Sequence, residues 1–250
     1  MLEALELTAA EAAFGASVVL VAGFIRGLTG FALSAVFVAG MSFVLDPIEA
    51  VPMALSLGVI ASVLQTRAVF EGVDWHRVAI LLGAAVIGVP IGVVILTATE
   101  PDVLRIVLFS VLLVSSLGLL RTNSGEILPT DRLMFGIGVL AGVVNGATAL
   151  SGLVLVLAMS YLAISPREMR STLIVYFFFS NLAVLLVLAA SGNIDGTLWI
   201  RTLWALPPLA LGIWVGSRAF GLTTPEIYRR ITLGLLIAIS AVGVVRILAS

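Results

Sequence analysis

The residues best equipped for chemistry sit at two polar interruptions in an otherwise oily chain. The first is Arg26-Gly27-Leu28-Thr29-Gly30. The second is Asn145-Gly146-Ala147-Thr148, with Ser151 just beyond it. Arg26 is the sole charge between Glu11 and Asp46. An arginine within hydrocarbon costs roughly 2.5–3.5 kcal/mol on insertion scales, so it needs a partner, water or a ligand. A guanidinium offers an oxyanion two parallel donors. A helix that begins after a break adds N-terminal amides, which favour an anion. Arg26, Gly27, Thr29, Gly30, Asn145, Gly146, Thr148 and Ser151 therefore predict a binding site for a small oxyanion. Asn181, polar within a span, joins them as a hydrogen-bonding or cavity-wall residue. The competing reading is that Arg26 caps a short helix at the cytoplasmic face and snorkels.

Other polar groups have plainer roles. Asp46-Pro47-Ile48-Glu49 and Ser165-Pro166-Arg167-Glu168 read as helix starts. Asp or Ser is the N-cap, proline follows, and glutamate closes a capping box. Asp46, Glu49 and Glu168 are also the carboxylates that could carry a proton. His76 lies beside Arg77 in a loop and reads as a solvated surface residue. Trp75, Trp199, Trp204 and Trp214 read as interfacial or core residues. One histidine and no cysteine exclude a thiolate metal site, a disulfide framework and an imidazole cluster. Ser151 has no histidine or lysine partner in the spans, and no His-Glu-x-x-His run occurs. The chain is expected to be no enzyme and to need no cofactor or metal.

These groups are embedded in a membrane sequence. Of 250 residues, 61% are hydrophobic and 11% charged, where a soluble domain carries about 25% charged residues. The net charge of −1 leaves no nucleic-acid footprint. The first residues carry Glu3, Glu6 and Glu11 and no basic residue, the wrong charge for a cleaved signal peptide. A bilayer core of about 30 Å takes about 20 apolar helical residues. Apolar stretches cover Ala12–Ile25, Leu28–Leu45, Ala50–Thr66, Val78–Ala98 and Val103–Leu120, then Leu133–Val144, Ala147–Ile164, Thr172–Ala190, Leu198–Phe220 and Ile227–Leu248.

The chain is also written twice. Adding 119 carries Ala22, Gly23, Gly27, Thr29, Pro47 and Glu49 onto Ala141, Gly142, Gly146, Thr148, Pro166 and Glu168. Adding 124 carries Gly72, Trp75, Arg77, Gly88 and Gly92 onto Gly196, Trp199, Arg201, Gly212 and Gly216. The change of offset between Glu49 and Gly72 predicts a longer or kinked third helix in the second copy. Gly88/Gly92, Gly212/Gly216 and Gly138/Gly142/Gly146 have the GxxxG spacing that lets helix backbones approach closely. One membrane domain over 1–250 is expected, with repeats at about 12–120 and 133–248 and a linker at 121–132. Duplicated membrane chains of this kind carry their site at the repeat interface.

Charge sets the topology. Merging each first pair of stretches into one span splits the flanking arginines evenly between faces. Letting each pair cross twice, or dip and return, places Arg67, Arg77, Arg121, Arg132, Arg167, Arg170, Arg218, Arg229 and Arg230 on one face. Arg105, Arg201 and Arg246 lie on the other, with Arg26 at a break. The positive-inside rule then predicts inverted repeats with both termini outside the cytoplasm. The pairs are two short spans, a broken helix or a re-entrant hairpin. About eight transmembrane helices result, or eight to ten segments counting the broken pairs.

With Gly23-Phe24-Ile25-Arg26-Gly27-Leu28-Thr29-Gly30-Phe31 in one copy and Gly142-Val143-Val144-Asn145-Gly146-Ala147-Thr148 in the other, the chain resembles the sulfite exporter TauE/SafE family from about Phe14 to Leu248. The family pattern has more glycine after the first motif than the Ala32-Leu33 found here. The resemblance implies a multi-pass cell (inner) membrane protein of two homologous halves that moves sulfite, sulfoacetate or a related small sulfur anion, often outward. The expected partners are that anion and the bilayer, with a homo-oligomer as a candidate assembly. Alternating-access export leads. A proton-coupled uptake permease and an anion channel are the alternatives.

Overall fold

The computed structural model describes residues 5–65, 72–120, 127–162, 164–220 and Gly234. Nine helices form among them: α1 (Ala9–Thr29), α2 (Leu33–Met41), α3 (Pro47–Gln65), α4 (Trp75–Ala98), α5 (Pro101–Leu120), α6 (Asp131–Thr148), α7 (Ser151–Ser160), α8 (Pro166–Ala190) and α9 (Gly196–Phe220). Five of them, α1, α3, α4, α8 and α9, are long and apolar enough to cross a bilayer. The expected last span, Ile227–Leu248, lies outside the described residues. Large apolar side chains cover the outside, with Val86, Val94, Leu186 and Leu203 all more than half exposed. A surface of that kind is stable against lipid rather than water. The chain is an all-helical, multi-pass membrane protein.

The breaks fall later than the sequence predicts. Arg26 and Gly27 belong to the last turn of α1, which continues to Thr29. The chain then turns through left-handed Gly30 (φ 79°) and Ala32 (φ 58°) before α2 starts. In the second copy α6 runs to Thr148, and the turn is made by left-handed Ala149 (φ 58°) before α7. The physical reason lies in packing. Gly27 and Gly146 are needed as helical surface, not as turn residues. A Cβ on Gly27 would collide with the backbone of Ile213 in α9, and one on Gly146 would lie 2.6 Å from the Val89 oxygen in α4.

That close approach organises the molecule. Gly23 and Gly27 of α1 meet Gly212 and Gly216 of α9 backbone to backbone. Gly142 and Gly146 of α6 meet Gly88 and Gly92 of α4 in the same way. The predicted GxxxG residues thus pair across the copies, the first helix of each copy gripping the fourth of the other. In the first half α2 folds back along α1, with Gly40 on Val18.

Two faces follow from which ends meet. On face A, Leu5 and Glu6 before α1, Glu49 in the first turn of α3 and Arg201 in the second turn of α9 are bonded together. Arg105 of α5 joins Asp46 on the same face. On face B, Arg77 of α4 pairs with Glu168 of α8, and His76 pairs with Asp131 at the start of α6. Arg170 of α8 reaches the Gly27 carbonyl at the end of α1 (3.2 Å), so α8 starts where α1 finishes. Phe37, Leu55 and Tyr176 are fully buried in the core between.

Candidate functional site

The start of each short helix opens onto one small buried cavity. Its lining includes Arg26, Ser34, Gly58, Asn145, Phe177 and Asn181, with Leu33 from the first turn of α2 and Gly152 and Leu153 from that of α7. Neither α2 nor α7 has a side-chain cap, so both present N-terminal amides and the positive end of the helix dipole. No carboxylate is part of the lining. The volume is about 20 Å³, room for about one water molecule.

Arg26 is 3% exposed although it carries a full charge. Its Nη2 donates to Ser62 Oγ at 2.9 Å, and its guanidinium lies 5.1 Å from the Phe177 ring centre. Its Nε has no hydrogen-bond partner among the described residues. Gln65 Nε2 donates to the Arg26 carbonyl at 3.3 Å, fixing the end of α1 to the end of α3. Among the described residues this buried charge is held by one hydroxyl and one ring, which leaves it under-satisfied.

On the other side Asn145 is the hub. Its amide donates to Ser180 Oγ (2.9 Å) and Asn181 Oδ1 (3.1 Å), and its Oδ1 accepts from Ser151 Oγ (2.8 Å). The two sides correspond under the sequence offset. Adding 119 turns the Arg26–Ser62 bond into the Asn145–Asn181 bond, and Gly58 into Phe177. The two sides of the cavity thus correspond under the offset but differ in chemistry, with charge at Arg26 and bulk at Phe177. Gly58 gives Asn181 its space, because a Cβ there would collide with the Asn181 amide.

Of the residues predicted for the site, Arg26, Asn145, Ser151 and Asn181 come together. Thr29 and Thr148 lie at the ends of α1 and α6 and turn back on their own helices, donating to Ile25 O and Val144 O at 2.8 Å. Gly27 and Gly146 serve the helix pairs. Gly30 ends α1 in the left-handed conformation with the Arg170 side chain against it. The three candidate proton carriers are remote and each faces an arginine: Asp46 meets Arg105 at 2.6 Å, Glu49 meets Arg201 at 2.8 Å, and Glu168 meets Arg77. Ser165 caps α8 through the Glu168 amide (3.2 Å), but the Glu168 carboxylate goes to Arg77 rather than closing a box. Ser62, Gly58 and Phe177 escaped the sequence reading. The +119 offset carries the signal that finds Ser62, since it maps directly onto Asn181.

Comparison with known proteins agrees with this architecture. The model of the sulfite exporter TauE/SafE family matches residues 15–242. A Cupriavidus necator protein described as a probable sulfite/organosulfonate exporter TauE is 26% identical over 229 residues, covering 87% of this chain and 88% of that protein. No solved structure matches the chain. Members of this family are transporters rather than enzymes. With two copies, two breaks and a match across nearly its whole length, the chain belongs to the sulfite exporter TauE/SafE family of membrane transporters.

Proposed function

We propose that the chain exports sulfite or a related small sulfur-containing anion by alternating access, with the anion bound between the α2 and α7 N-termini at Arg26. The carrying observation is the buried Arg26 guanidinium with its Nε unpartnered, beside two uncapped helix starts and no carboxylate. Each helix start contributes roughly half a positive charge. With the guanidinium the cavity presents about two, which suits a dianion such as sulfite or sulfoacetate once the roughly 20 Å³ space widens in an open state to admit it. Asn145, Ser151 and Asn181 supply neutral partners, and Gly27, Thr29, Gly30, Gly146 and Thr148 shape the breaks that carry them.

The copies are read as inverted repeats. The support is that α1, α3 and α9 begin on face A whereas their equivalents α6, α8 and α4 begin on face B. Face B carries Arg77, Arg132, Arg170 and Arg218, so it is assigned to the cytoplasm, with the N-terminus outside. Export of a dianion down an inside-negative potential gains about 2.3 kcal/mol per charge per 100 mV, so no coupling ion is required. The small cavity favours a carrier over an open channel. Proton-coupled uptake through Asp46, Glu49 or Glu168 is the competing mechanism.

The test is sulfite flux from loaded proteoliposomes. A carrier gives saturable efflux stimulated by sulfite on the opposite side, and an outside-positive potential accelerates it. Non-saturating currents would establish a channel, and efflux that requires a proton gradient would establish coupling.

A further inference from the structure

Two ion pairs outside the cavity repeat each other. On face A, Glu49 of α3 binds Arg201 of α9 at 2.8 Å. On face B, Glu168 of α8 binds Arg77 of α4. Glu49 and Glu168 are equivalent under the +119 offset, and Arg77 and Arg201 under the +124 offset. Each pair joins one copy to the other. Both arginines are largely buried, with side chains 7% exposed for Arg201 and 16% for Arg77. Each has a second acidic neighbour, Glu6 at 3.4 Å from Arg201 and Asp74 at 3.4 Å from Arg77. A packing accident has no reason to recur at both equivalent places.

Their position relative to the cavity is also repeated. Glu49 stands nine residues before Gly58 on α3, and Glu168 nine residues before Phe177 on α8. Gly58 and Phe177 both line the cavity. Nine residues of helix are about 13.5 Å, so each pair lies on the same helix as a cavity wall and roughly that far toward its own face. The arginines ride on α9 and α4, the outer members of the two glycine-packed helix pairs. Beside the face A pair lies an open pocket of about 270 Å³, lined by Glu49, Arg201, Pro52, Met53 and Asn193 among others.

We infer that Glu49–Arg201 and Glu168–Arg77 are the two access latches of transport, each tying a central helix to a glycine-packed pair and closing the cavity to its own face. Opening toward face A breaks the first and keeps the second, and opening toward face B does the reverse. The two carboxylates then act as positioning residues and touch no substrate. This rests on the alternating-access reading above.

The test uses the absence of native cysteine. Ser34→Cys, in the cavity lining, is labelled by a membrane-impermeant thiol reagent from each face in turn. Glu49→Gln should raise labelling from face A by about fivefold or more, the low end of an ordinary coupling, and lower it from face B. Glu168→Gln should do the opposite. Exchanging the charges (Glu49→Arg with Arg201→Glu) should return both rates toward the parent. A merely structural role would loosen both faces together. Labelling that rises from both faces, that responds to neither variant, or that the exchange fails to restore overturns the latches. Sulfite flux in the same vesicles separates the two claims. Latch-dependent labelling without anion flux removes the anion reading, and flux with unresponsive labelling removes the latches.

Discussion

Arg26 concentrates the chemistry of this molecule. It is buried, paired with a single hydroxyl at Ser62, and holds one donor in reserve at Nε. Lysine at that position keeps the charge but loses the planar fork. Arg26→Lys is therefore expected to fold and to bind sulfite at least tenfold more weakly, about 1.4 kcal/mol, measured as the sulfite concentration giving half-maximal flux. Gly58 offers a second single-residue test. Gly58→Ala drives a methyl into the Asn181 amide and disturbs the Asn145 hub. The expectation is weaker anion binding with little change in melting temperature in detergent, because alanine is the better helix former. Arg26, Asn145, Ser151 and Asn181 were legible in the sequence because polar residues in hydrocarbon are conspicuous. Thr29 and Thr148 looked equally conspicuous. A threonine hydroxyl can satisfy itself on the carbonyl four residues back, and sequence does not say which it will do. Phe177 and Gly58 were illegible for the opposite reason, since an apolar residue in an apolar helix carries no mark.

At the scale of elements, glycine does most of the positioning. Two helix pairs, α1 with α9 and α4 with α6, have backbones in contact at GxxxG positions, where van der Waals packing drives association in lipid. Gly92→Ala and Gly216→Ala place a Cβ onto the Val143 and Phe24 carbonyl oxygens. Each is expected to cost about 1–3 kcal/mol through overpacking, read as a lower melting temperature of the purified protein. Gly83→Ala and Gly136→Ala meet open space and should change stability by no more than about 0.5 kcal/mol. Similar melting for all four variants would remove the packing role. The glycine motifs were legible in the sequence, and so was the partition into stretches. The ends of α1 and α6 were displaced because Gly27 and Gly146 resemble breakers until their partner helices are known. The short segments after them, Gly30-Phe31-Ala32 and Ala149-Leu150, make the turns instead.

At the scale of the whole molecule, the candidate site is shared between helices from both halves of the chain. Neither copy alone encloses the cavity, since α2 and α3 form one side and α7 and α8 the other. The offsets point to a duplication, but the packing of α4 onto α6 and α9 onto α1 was not legible in them. Pairing between copies leaves no local trace beyond the glycines. The proposed sidedness is checked by cysteine labelling at two exposed places. His76→Cys on face B should react only from the cytoplasmic side, and Asn193→Cys, beside the face A pocket, only from outside. Reaction of both from one side would refute the inverted arrangement. The central claim is that Arg26 holds the transported anion. Sulfite flux into proteoliposomes, wild type beside Arg26→Ala, tests it most directly, with sulfoacetate, taurine and sulfate as competitors. The account predicts saturable flux in the wild type, inhibition by the dianions ahead of zwitterionic taurine, and no flux in a variant that still melts cooperatively. Undiminished flux in Arg26→Ala would contradict it.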